Sequence, residues 1–167
     1  HNFAFMESSK SFFIISNPDI EIQDLGNLFD EPLDIGQYIT CPLIFNTNGE
    51  REDNFRDFPT PFSLVLRRLG FDINHSSSTK FDWAAGMFLI FPRNLYELLG
   101  GFDDKYFMYF EDVDLFYRSK KMGINYLCDH TIKVIHDARR SSRRDFFYFL
   151  MHLKSAIRFF FKNRKII

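Results

Sequence analysis

The chain has 167 residues, 46% hydrophobic and 19% aromatic, which is enough apolar mass for one packed domain and too much for a disordered chain. Its 21 basic and 22 acidic side chains leave a formal net charge of -1, which excludes a globally basic surface for nucleic acid. No apolar run reaches the roughly 18 residues that a membrane span needs.

Cys41 and Cys128 stand far apart in strand-like settings and read as buried free thiols of a reducing compartment rather than as a disulfide. There is no signal peptide pattern, and a chain that opens on His1 and soon reaches a strand reads as the middle of something longer.

Ser11 to Ser16 predicts a buried strand closed by Asn17, Pro18 and Asp19, because Pro18 removes a ladder donor. Leu25, Leu28, Phe29 and Leu33 at helical spacing predict a helix over Asp24 to Leu33 with Asp24 as its N-cap. Ile35 to Phe45 reads as a strand, turned by Asn46-Thr47-Asn48-Gly49. A charged loop broken by Pro59 and Pro61 follows, then a short helix from Phe62 to Leu69 stopped by Gly70, and a polar surface loop over His75 to Thr79.

Gly86 to Phe91 is the most apolar strand, and Pro92 opens a helix to Leu99 that Gly100-Gly101 ends. A helix is expected from Glu111 to Met122, short strands over Asn125 to Cys128 and Thr131 to Ile135, and a last helix from Arg143 to Lys162. Strands alternating with helices define an α/β fold with a parallel or mixed sheet.

Four groups could carry chemistry. Asp19, at the end of a strand, suits Mg²⁺ or Mn²⁺, although Asn17-Pro18-Asp19 also makes an ordinary turn. Glu111, Asp112 and Asp114 open a helix, where carboxylates complement the dipole by roughly 0.3–1 kcal/mol each. Their aromatic surroundings, Tyr106 to Phe110, would equally raise a carboxyl pKa towards that of a general base. His136 ends a strand ahead of Arg139, Arg140, Arg143 and Arg144, a phosphate-binding array or a solvated helix start. Trp83, followed by Ala84, Ala85 and Gly86, is a sugar-stacking platform or a core residue.

In order, the segments Ser11 to Ile20, Cys41 to Asp53, Phe55 to Gly70, Trp83 to Gly123 and Lys133 to Ser142 resemble the catalytic domain of glycosyltransferase family 2, in its rhamnosyltransferase-like bacterial branch. The most specific part is GGFD followed by FMYFEDVDL. The resemblance implies a GT-A-like (Rossmann-like) mixed sheet flanked by helices, lacking its N-terminal nucleotide-binding part. It implies that Asp112 is the catalytic base, that Asp19 and His136 bind Mg²⁺ or Mn²⁺, and that Asn17, Asp19, Arg139 and Arg140 face the donor. Trp83, Gly86 and Glu111 would face the acceptor.

The activity implied is inverting transfer of a sugar from a nucleotide-diphosphate sugar to a saccharide or lipid-linked saccharide in cell-surface polysaccharide synthesis, with this chain inactive alone. Residues 1–142 would be the C-terminal two-thirds of the catalytic domain. Residues 143–167 would form an amphipathic helix, packed on that domain or on a membrane surface through Phe146, Phe149, Leu150, Leu153, Ile157, Phe160 and Phe161, with Lys154, Arg158 and Lys162 beside them. A cytoplasmic protein, peripheral at the inner face of the plasma membrane, is expected. Two rival readings are an inactive truncated transferase serving as a structural or oligomerisation module, and a phosphohydrolase using Asp19 and His136, which leaves Glu111 to Asp114 and Trp83 unused.

Overall fold

A computed structural model describes residues 1–26, 28, 38–71, 76–137 and 146–163. Five strands form one mixed sheet: β1 (Phe12–Ser16), β2 (Ile20–Asp24), β3 (Tyr38–Asn46), β6 (Phe88–Pro92) and β7 (Asn125–His136), in the order β1-β6-β3-β7-β2. Among the described residues only the β3–β7 pair is parallel. A small second sheet pairs β4 (Phe55–Arg56) with β5 (Trp83–Ala84). The helices are α1 (Asn2–Glu7), α2 (Pro61–Arg68), α3 (Arg93–Leu99), α4 (Glu111–Lys121) and α5 (Phe146–Lys162). The fold class is therefore the mixed α/β arrangement expected, a sheet flanked by helices.

Strand β6 shows how the core divides. Leu89 and Phe91 pack with Leu95, Tyr96 and Leu99 of α3, Val113, Leu115 and Phe116 of α4, and Ala156 and Phe159 of α5. Phe88 and Ile90, pointing the other way by strand alternation, pack with Ile44, Ile132, Val134 and Leu28. Being apolar on both faces, this strand sits inside the sheet.

Several elements differ from expectation. β1 is an edge strand with only Ile15 fully buried, because among the described residues its other side has no ladder partner. Asp24 ends β2 rather than capping a helix: β2 is held antiparallel to β7, and the Asp24 carboxylate accepts from the Gly26 amide at 2.8 Å. Most of the predicted helix to Leu33 lies outside the described residues, as do His75 and the start of the last helix at Arg143. The two strands predicted after Gly123 are one, β7, interrupted by a bulge. Pro42 pairs with Asp129 but Leu43 with Lys133, and the Asp129 carboxylate accepts from both the amide and the hydroxyl of Thr131 at 2.7 Å. Cys41 and Cys128 are free thiols that sit opposite each other on β3 and β7.

Helix α5 buries a face other than the apolar one that its sequence spacing marks. Ser155, Ala156 and Phe159 are inside, while Phe146, Leu150, Leu153, Ile157 and Phe161 are exposed. Small residues at 155 and 156 let the helix approach closely, with the Ser155 hydroxyl donating to the Met108 carbonyl at 2.7 Å. Of the three cations expected to line the helix for a membrane, two are engaged within the fold: Arg158 and Lys162 both reach Asp103, at 3.3 and 2.8 Å.

Candidate functional site

Helix α4 begins at Glu111 after two residues in the left-handed region, Tyr109 (φ 66) and Phe110 (φ 64). A non-glycine residue held there costs about 1–3 kcal/mol, so this turn persists only because its surroundings enforce it. It aims the three acids that follow in different directions.

Asp112 turns towards the start of β6. Its Oδ2 accepts from the Gly86 amide at 3.0 Å and its Oδ1 from the Val113 amide at 2.8 Å. Burial raises its pKa, opposed by those two amides and by the charge of Arg56. Glu111, beside it, is pushed up to about 7 by burial and then by the Asp112 charge, and its Oε2 is buried without a hydrogen-bond partner. Two adjacent acids share this pocket and burial raises both, while at Asp112 the two amide donors and the charge of Arg56 act against that rise.

Asp114 does something else. It is fully buried, with Arg118 Nε at 2.8 Å and Lys162 Nζ at 2.7 Å, and it ties α5 to α4.

Trp83 is only 8% exposed and its indole Nε1 donates to the Asp57 carbonyl at 3.0 Å, with the Arg56 guanidinium 5.6 Å from its ring centre. Trp83, Glu111, Asp112, Arg56 and His152 share the wall of one cavity of about 1040 Å³. The rest of the lining is largely apolar: Leu64 and Val65 from α2, Leu69 just after it, and Phe146, Phe149 and Leu153 from α5, with Arg67 and Arg68 among them. Arg68 lies over the Phe149 ring at 4.7 Å, bridging the two helices.

A second cluster forms where β2 pairs with β7. His136 is opposite Ile20, which brings its Nε2 to 3.4 Å from Asp19 Oδ2. On its other side, His136 Nδ1 lies 3.0 Å from Glu52 Oε2. Asp19 Oδ1 and Glu52 Oε1 are buried and unpartnered. Among the described residues no group of three or more His, Cys, Asp or Glu side chains is placed to hold a metal ion. Mg²⁺ and Mn²⁺ do not need such a group, since they take one or two protein ligands and fill the rest with phosphate and water. An orphaned carboxylate oxygen beside an imidazole held by a second carboxylate fits such an ion.

The two clusters are linked by residues that sequence patterning treated as plain loop. Glu52 meets His136, the Asn54 carbonyl accepts from the Ala85 amide at 2.8 Å, and Arg56 lies against Trp83 and acts on Asp112. Every second residue of this run, Glu52, Asn54 and Arg56, serves the site, and that period-two pattern ahead of Phe58 was the available signal. Asn17 joins from the other side, its amide donating to the Met87 carbonyl at 2.9 Å, one residue beyond Gly86. Arg139, Arg140, Arg143 and Arg144 lie outside the described residues.

Comparison with known proteins brings out sugar transferases as relatives of this chain. No family model matches the sequence. The chain is similar to rhamnosyltransferase WbbL of Escherichia coli (strain K12), with 36% identity over 89 residues, 53% of this chain and 34% of that protein. It is also similar to the low-salt glycan biosynthesis hexosyltransferase Agl10 of Haloferax volcanii, with 24% identity over 137 residues, 78% of this chain and 44% of that protein. A third relative is the N-acetylglucosaminyl-diphospho-decaprenol L-rhamnosyltransferase of Mycobacterium tuberculosis, 40% identical over 63 residues, 38% of this chain and 20% of that protein. The resemblance to rhamnosyltransferase-like glycosyltransferases of family 2 is thus borne out by its relatives. The chain spans less than half the length of each of these.

Proposed function

We propose that this chain supplies the acceptor side and the catalytic base of an inverting glycosyltransferase that moves a sugar from a nucleotide-diphosphate donor to a saccharide hydroxyl. The observation that carries the reading is the Asp112 carboxylate, held between two amides in the cavity wall with Arg56 favouring its anion.

On this reading the acceptor sugar lies on the Trp83 side of the cavity. Gly86 leaves room beside Asp112, since a Cβ there would lie 3.5 Å from the Asp112 Cβ. Asp112 takes the acceptor hydroxyl proton as that oxygen bonds to the anomeric carbon and the bond from that carbon to the diphosphate oxygen breaks, a single displacement that inverts the centre. Glu111, protonated, donates a hydrogen bond to an acceptor oxygen. Asn17 faces the donor. Mg²⁺ or Mn²⁺ bound by Asp19 and His136 would neutralise charge on the diphosphate leaving group.

The acceptor is a lipid-linked saccharide. What supports this is the cavity's apolar lining from α2 and α5 with Arg67 and Arg68 beside it, together with the diphospho-decaprenol in one relative's name. Such an acceptor places the protein peripherally at the inner face of the plasma membrane, and no described helix is long and apolar enough to cross one. A second reading, an inactive association module, is favoured only by the exposed apolar residues of α2 and α5.

Trp83 is the single tryptophan, so its fluorescence reports on the cavity. Titration with a lipid-diphosphate-linked N-acetylglucosamine should change it saturably, and transfer of label from a nucleotide-diphosphate rhamnose in a protein containing this chain should fail with Asp112→Asn. Transfer undiminished in that variant would overturn the assignment.

A further inference from the structure

We propose that His152, on α5, is a positioning residue for Asp112: it holds the Tyr109–Phe110 turn in the left-handed conformation from which α4 starts. The proposal rests on the reading of Asp112 as the base.

The turn has no support of its own. Neither residue is glycine, both have positive φ, and Phe110, the helix N-cap, makes no side-chain cap hydrogen bond. Its support comes from a helix some forty residues later in the chain. The His152 ring stands 5.4 Å from the Tyr109 ring and 5.2 Å from the Phe110 ring, tilted at 57° and 70° to them. One turn further along α5, the Ser155 hydroxyl donates to the Met108 carbonyl at 2.7 Å, and Phe159 lies 5.6 Å from Phe110. Three successive residues, Met108, Tyr109 and Phe110, are therefore held by one face of α5, and Glu111 and Asp112 come next. Lys162, bonded to both Asp103 and Asp114, fixes that face in register.

The imidazole suits the task as a flat ring small enough to touch both aromatics at once. Burial lowers its pKa and the nearby Arg56 charge lowers it further, so it is a neutral packing partner at physiological pH. His152 also lines the cavity, so the group that shapes the turn is within reach of the acceptor. A substrate pressing on α5 would thus act on the base through this ring.

The test uses His152→Ala and His152→Phe, the second restoring a ring without the nitrogens. Carboxyl carbon NMR of Glu111, which titrates near 7 in the intact site, reads the turn without any substrate. His152→Ala should let water in and lower that titration by about one pH unit or more, while His152→Phe should preserve it. In a transfer-competent protein containing the chain, His152→Ala should lower kcat about tenfold or more with little change in acceptor KM, and His152→Phe should recover most of it. If His152→Ala proves unfolded, Ser155→Ala, which removes the Met108 contact from the same face, should lower the Glu111 titration in the same direction. An unchanged titration and kcat in His152→Ala, or a His152→Phe variant as impaired as His152→Ala, would overturn the proposal. If Asp112→Asn leaves transfer intact, the base assignment fails alone, since the Glu111 titration still reports whether His152 holds the turn.

Discussion

The Gly86 amide and the Asp112 carboxylate meet at 3.0 Å across 26 residues of sequence, joining the approach to β6 with the first turn of α4. A Cβ on residue 86 would sit 3.8 Å from Asp112 Oδ2, an ordinary contact, so Gly86→Ala should fold with little loss of stability. Gly86→Val adds branches where Asp112 stands and should displace it. Asp112→Asn can keep one amide-accepting oxygen but cannot take a proton. Transfer should fall about 10²–10⁴-fold in Asp112→Asn with a modestly lower melting temperature, because one buried amide loses its acceptor, whereas Gly86→Val should lower the melting temperature further. Parallel thermal melts and transfer assays separate the two.

Glu111 makes stability depend on pH in an unusual direction. Its carboxyl titrates near 4.5 when unfolded and near 7 when folded, so between those values the native state holds the extra proton. Its contribution is present in full below about pH 4.5 and is lost as pH rises to about 7. Asp103 works oppositely. Burial alone would raise it, but hydrogen bonds from Lys162, the Lys105 amide and Arg158 outweigh that and hold it well below the usual carboxylate range. Its contribution is present above the unfolded value near 3.8 and is lost as pH falls below it. Denaturant melts from about pH 2 to 8 should show Glu111→Gln reducing the decline towards neutrality, which the burial of Asp112 shares, and Asp103→Asn weakening the acid-side loss.

Asp114 and Lys162 form one ion pair with unequal consequences. Asp114 is 1% exposed at its side chain and answers to both Arg118 and Lys162, so Asp114→Ala leaves two cations facing an emptied site and should cost about 3 kcal/mol or more. Lys162 is 34% exposed, and Lys162→Met keeps its aliphatic stem, so its loss should cost about 1 kcal/mol or less. Urea denaturation of both variants tests the ordering, and equal losses would refute it.

What could be read from sequence depended on whether the physics was local. Helix α4 was legible because its acids, its apolar spacing and Gly123 all lie within one short stretch, and β6 because an unbroken apolar run needs no partner to be recognised. The bulge in β7 was not, since Asp129-His130 reads as a turn until β3 and β2 are present to continue the ladder on both sides. The buried face of α5 was misjudged because the large residues were taken as the anchors, whereas close helix packing selected Ser155 and Ala156. Glu52, Arg56 and His152 escaped notice for a related reason. Their meaning lies in His136, Asp112 and Phe110, each many residues away, and the alternation of Glu52 and Arg56 marks only a shared face of the run, not what that face meets.

The two glycines after α3 should behave differently although both have left-handed φ. At Gly100 (φ 69) an added Cβ meets nothing, so Gly100→Ala should cost only the backbone strain, about 1 kcal/mol. At Gly101 (φ 67) it would collide with Asn2 Oδ1. Asn2 is committed there: its carboxamide accepts from the Phe102 amide at 3.0 Å and the Tyr96 hydroxyl at 2.9 Å, and donates to the Phe102 carbonyl at 2.8 Å. Gly101→Ala must therefore displace α1 as well, and should cost at least twice as much in a thermal melt.

The Asp19, His136 and Glu52 arrangement predicts a weak divalent site that responds to all three residues but not equally. Asp19 offers a buried, unpartnered oxygen as ligand, and Glu52 holds the opposite nitrogen of His136. Removing a ligand should abolish binding, while removing the orienting carboxylate should weaken it by about 10–100-fold. Paramagnetic broadening of the His136 ring resonances by Mn²⁺ measures this without substrate. Asp19→Ala should eliminate the broadening at any accessible Mn²⁺ concentration, and Glu52→Gln should shift its midpoint upward. Calcium should compete poorly, because Mg²⁺ and Mn²⁺ accept few protein ligands whereas Ca²⁺ takes 6–8 oxygens and favours denser carboxylate sets. Undiminished broadening in Asp19→Ala would place the ion elsewhere and detach the leaving-group chemistry from this end of β7.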